Sequence, residues 1–99
     1  MGLRTADNHA QLLKELNEER IAALTRISGT LESLIGQLKQ IREHLPTRHS
    51  SVRERDLTTY RALHERARKY RWYLEVQREA LGLRHHRVLD ELYVIPEAL

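Results

Sequence analysis

Residues 24–45 read LTRISGTLESLIGQLKQIREHL, and this stretch decides the fold. Leu24, Ile27, Leu31, Leu34, Leu38, Ile41 and Leu45 recur at alternating intervals of three and four. Side chains so spaced share one face of an α-helix, which predicts a narrow apolar stripe in coiled-coil register. Upstream, Leu12, Leu13 and Leu16 continue the helix but step off that stripe, and Asp7 or Asn8 is a candidate cap. Pro46 ends it, because proline restricts the residue before it and supplies no N–H to the helical ladder. The first helix is expected over residues 8–45, about 57 Å at 1.5 Å per residue.

A short loop over residues 46–50 follows. Ser51 and Glu54 then have capping-box spacing, and a second helix is expected over residues 51–82. Its stripe, Tyr60, Leu63, Ala67, Tyr70, Leu74, Gln77 and Leu81, repeats the same intervals. Gly82 suits a left-handed C-terminal cap, with Leu83 placed to pack back on the last turn. Two long helices joined by a short loop lie antiparallel. The stripes then pair Leu24 with Leu74, Ile27 with Tyr70, Leu31 with Ala67, Leu34 with Leu63, and Leu38 with Tyr60. The midpoint of every pair falls near residue 49, inside the proposed loop. The same register sets Arg20 by Gln77, Asn17 by Leu81 and Asp56 by Ile41, read either as wet edges of the seam or as polar layers that set its register.

A third, short helix is expected over residues 84–93, with Val88, Leu89 and Leu92 on one face and Pro96 as its stop. It is expected to dock on Leu12, Leu13 and Leu16, where the first helix outruns the second. The apolar tail from Tyr93 to Leu99 reads either as a docked terminus or as a short motif that a larger partner captures. The fold class is thus all-α: a long antiparallel helical hairpin plus a short C-terminal helix, in one domain over residues 1–99, dimerising into a bundle.

Composition agrees with long helices and narrows the function. The 99 residues include four Gly, two Pro, one Trp, four Tyr and no Phe. The absence of cysteine excludes disulfides, thiolate nucleophiles and Cys-based metal sites. No apolar run reaches the roughly 18 residues of a spanning helix, and residues 1–8 lack the apolar core of a secretory signal, so the expected compartment is the cytoplasm. No Gly-rich phosphate loop, nucleophile elbow or carboxylate pair on an apolar face is present, so no enzyme is expected. His86 stands four residues before Asp90, but adjacent His85 and His86 point to different sides of a helix. No metal and no cofactor are therefore expected.

Two surfaces stand out. On the first helix, Ile21, Ser28 and Ile35 repeat every seven residues beside the main stripe, and Ala22, Gly29 and Gly36 repeat beside them. A mid-helix glycine costs about 1 kcal/mol relative to alanine, so two at heptad spacing suggest close approach by another helix. With Trp72 and Val76 of the second helix they form the expected self-association face of a homo-oligomer. The other surface is basic. Residues 51–87 hold ten Lys or Arg against five Asp or Glu, whereas residues 88–99 hold none against three. Arg61, Arg66, Arg68, Lys69, Arg71 and Arg78 make up that face, with aromatic residues among them. The function read from these patterns is a small interaction or scaffold protein acting by helix–helix self-association and protein partner binding. The alternative is a nucleic-acid-binding accessory protein using the Arg face.

Overall fold

The structure is a computed structural model and describes residues 2–99, with side chains from residue 5 onward. The described residues form three α-helices and one 3-10 turn: α1 (Gly2–His44), the turn Leu45–Thr47, α2 (Ser50–Ala80) and α3 (Arg87–Leu92). The described residues contain no strand. The two long helices pack as a hairpin in a rod of 73 × 22 × 15 Å.

The expected seam is the observed one. Leu31, Leu34 and Leu38 of α1 are buried with Tyr60, Ala67 and Leu74 of α2. Leu24, Ile27, Ile41, Leu63 and Tyr70 pack around them. Pro46 sits in the first turn of the 3-10 element, where its missing N–H leaves no bond unmade. Thr47 donates its hydroxyl to the carbonyl of His44 at 3.0 Å, and Arg48 reaches Asp56 across the turn at 3.5 Å.

Helix ends differ from the expectation in informative ways. α1 runs through Asp7 and Asn8, from Gly2, so neither residue caps it. α2 starts one residue early: His49 is its N-cap in extended conformation, and no side chain caps it. Ser51 therefore lies inside the first turn, and the Ser51–Glu54 capping box does not form. At the other end the sequence signal holds. Gly82 has φ +87°, its N–H donates to Glu79 at 2.9 Å, and the Leu83 N–H donates to Arg78 at 3.0 Å. These two bonds are the Schellman arrangement, which needs a residue free of Cβ strain at positive φ.

The last segment departs most. α3 is shorter than the expected 84–93 and does not dock on Leu12, Leu13 and Leu16, which are 64%, 50% and 42% exposed. The reversal at Gly82 sends the chain back along the hairpin. Leu89 is buried in the main core, and Tyr93 and Ile95 pack against it. The extended tail continues toward the turn end. Tyr60 donates its hydroxyl to the Glu97 carbonyl at 2.6 Å, Arg42 donates to the same oxygen at 3.2 Å, and His64 Nε2 donates to the Pro96 carbonyl at 2.9 Å. Arg61 Nε donates to the Leu99 main-chain oxygen at 3.0 Å.

The physical reason is directional. Leu12, Leu13 and Leu16 are rotated off the seam, whereas Ile35 flanks the seam in the middle of the hairpin and offers continuous apolar cover. Arg71 then fixes α3 by bonding Asp90 and Glu75 together. Burial draws the Arg71 pKa down, but the hydrogen bonds and charges of Glu75 and Asp90 outweigh it and raise the value above that of an ordinary arginine.

Candidate interaction surfaces

The hairpin has two grooves, one on each side of its seam, and the tail fills one of them. This division separates the residues expected to form a single association face. Ile35 is buried in the protomer's own core, in the cluster that includes Leu89 and against which Tyr93 and Ile95 pack. Ser28 is half-buried and lines a cleft with Leu89, Leu92 and Tyr93. Neither is offered to another molecule while the tail is in place. Ala22, Gly29 and Gly36 are exposed, and a Cβ added at Gly29 or Gly36 meets nothing within 4 Å. Ile21, Trp72 and Val76 are also exposed, with Trp72 at 58%. An apolar flank beside a seam signals that something covers it; for Ile35 and Ser28 that cover comes from the same chain.

The second groove is open. Its floor carries Ala22, Ala23 and Arg26, then Gly29, Thr30 and Ser33. Leu16 and Gln77 border it at one end, and Gln37 and Arg66 at the other. Beyond it, α1 projects past the end of α2. Arg20 donates to the carbonyl of Ala80 at 2.8 Å, which marks where α2 stops. This contact places a cation on the negative end of the α2 dipole. Residues 2–19, about 27 Å of helix, extend past that point. Arg20 and Gln77 both line this edge of the groove. Asp56 lies beside Ile41 and is half-buried, while Asn17 is exposed.

The six basic candidates are not equivalent. Arg71 is committed to Glu75 and Asp90, Arg61 to the Leu99 oxygen, and Arg78 to the His85 carbonyl at 2.9 Å. Arg66, Arg68 and Lys69 carry no ion pair or hydrogen bond among the described residues. Half of the expected electrostatic face is therefore structural, holding α3 and the tail. Of the aromatics, Tyr70 and Tyr73 meet edge-on at 5.4 Å and Trp72 lies against Tyr73 at 5.6 Å, so Trp72 alone is widely exposed.

Histidines form no shared site. His86 faces Glu79 at 3.0 Å instead of Asp90, which Arg71 holds. Among the described residues, no three of His, Asp and Glu converge as a metal site would require. No helix among them is long and apolar enough to cross a membrane. Tail carbonyls held by Tyr60, His64, Arg42 and Arg61 were missed by sequence reasoning, because main-chain acceptors leave no residue signal.

Comparison with known proteins finds no matching family model, no matching curated protein and no matching solved structure.

Proposed function

We propose that this chain is a small non-enzymatic interaction protein of the cytoplasm that works by helix–helix association on the open side of α1. The observation that carries this reading is the projecting segment of α1, an amphipathic helix with exposed Leu12, Leu13 and Leu16 and no α2 beside it. Burying such side chains contributes roughly 1.5–3 kcal/mol each, enough to drive association of a preformed helix. The open groove continues the same face, and its small residues permit close helix approach.

Replacing Gly29 with leucine tests the reading. The site is open in the protomer, so Gly29→Leu leaves the far-ultraviolet circular dichroism of the hairpin unchanged. In light scattering after size exclusion, it lowers the assembly mass toward one chain of 11.7 kDa. A wild-type chain that stays monomeric at every concentration would remove self-association from the proposal.

A second reading, phosphate binding on α2, is favoured by one observation: Arg66, Arg68 and Lys69 have no ion pair or hydrogen bond among the described residues, and Arg68 and Lys69 stand within one helical turn of exposed Trp72. It requires an affinity for single-stranded DNA that falls steeply with salt and is lost in an Arg66→Glu, Arg68→Glu, Lys69→Glu variant. Fluorescence anisotropy at two salt concentrations measures both. No binding by the wild-type chain at low salt ends this reading.

A further inference from the structure

The open side of α1 is self-complementary, and we propose that its occupant is a second copy of this chain, lying antiparallel. The inference rests on the interaction reading above and names the partner within it.

Leu12, Leu16, Glu19, Ala23, Arg26, Thr30 and Ser33 follow intervals of four and three, so they share one helix face. All are exposed or half-buried in the protomer. This face has a gradient of size. Its N-terminal part is bulky, with Leu12 and Leu16. Its C-terminal part is small, with Gly29 beside Thr30 and Ser33, and open space above Gly29. A two-fold axis passing between Ala22 and Ala23 sets Leu16 of each copy at the level of Gly29 of the other. It sets Leu12 at the level of Ser33. Leu12 thus meets the small Ser33 along the centre of the face at both ends, and Ala23 lets the helices approach closely in the middle.

Charge selects the same arrangement. Glu19 falls at the level of Arg26 of the second copy, twice by symmetry. Among the described residues, neither side chain has an ion pair or hydrogen bond. A parallel pairing in register would place Glu19 against Glu19 and Arg26 against Arg26, and like charges so placed are destabilising. The contact from Leu12 to Ser33 spans about 32 Å of each α1. The tail occupies the opposite groove, so it does not intrude. Each α2 lies outside, and the product is a four-helix assembly whose matching patches close on themselves.

The experiment uses the full chain in light scattering across a dilution series. The wild-type mass at high concentration is expected to be twice 11.7 kDa. Glu19→Arg and Arg26→Glu, each alone, are expected to raise the dissociation constant about tenfold or more. The double variant Glu19→Arg, Arg26→Glu restores it to about threefold of wild type, because the pair is re-formed with its signs exchanged. Both positions are exposed, and circular dichroism confirms that each variant keeps the fold. A dimer indifferent to both reversals, or single losses that the double variant fails to rescue, overturns this pairing while leaving self-association through another face. A monomeric wild-type chain overturns the pairing and the self-association reading together.

Discussion

Glycine has opposite meanings at two places in this chain. Gly82 adopts φ +87°, where an L side chain is strained, and it directs the chain back onto the hairpin. Gly36 is helical, exposed and free of neighbours. Gly82→Ala is expected to destabilise the protomer by about 1–2 kcal/mol, whereas Gly36→Ala stabilises it by about 1 kcal/mol through helix propensity alone. Urea unfolding under monomeric conditions reads both values. Equal effects would contradict the assignment of one glycine to a cap and the other to an open helix face. Both residues were legible in the sequence as exceptions. Only Gly82 carried its local reason with it, because a Gly followed by an apolar residue after a long helix is a capping signal. The spacing of Gly29 and Gly36 announces a surface and leaves its occupant open.

At the scale of elements, the hairpin was readable because two apolar stripes, found separately, implied the same turn. Helix ends and the third element were less so. The capping box at Ser51 and Glu54 is a local pattern, and the 3-10 turn at Pro46 overrode it by starting α2 at Ser50. The third helix docks elsewhere than its pattern suggests because Val88, Leu89 and Leu92 define a face without defining its target. The Ile35 flank, Arg71 and the reversal at Gly82 decide that target together, and no single residue announces the combination. Leu89 is the buried anchor of α3. Leu89→Ala is expected to cost about 2–5 kcal/mol if the cavity persists, and less if α3 detaches. Amide exchange separates these outcomes. Detachment speeds exchange over residues 87–99 while the core of α1 and α2 stays protected. Uniform acceleration throughout the chain would show that the hairpin depends on this cover to fold.

At the scale of the whole molecule, the two sides of the rod differ. One groove is closed by the chain's own tail through Tyr60, His64, Arg42 and Arg61. The other groove and the projecting part of α1 remain accessible. Charge is divided in the same way: Arg61, Arg71 and Arg78 secure the tail and α3, while Arg66, Arg68 and Lys69 face solvent. Total charge, a net +3, concealed that division because composition does not distinguish a clamp from a free cation. An antiparallel pair predicts a distance pattern that a single rod cannot produce. Position 7 and position 42, beside which the tail ends, lie about 52 Å apart along α1 of one chain. Donor on an Asp7→Cys chain and acceptor on a separate Ala98→Cys chain are expected to transfer energy strongly on mixing. Each chain has one thiol, since the natural sequence has none. Weak transfer in a confirmed dimer would exclude the antiparallel alignment.

The projecting end of α1 has one more consequence. A lone rod has unlike ends: bare helix at one, turn and tail at the other. Two such rods laid in opposition have identical ends, each bearing the beginning of one chain and the close of its mate. Such an object would have no free polarity left to propagate through that face, and the proposed pairing would stop at two instead of lengthening into a fibre. Anything fused to either terminus would then be displayed at both extremities, turning a short rod into a symmetric spacer.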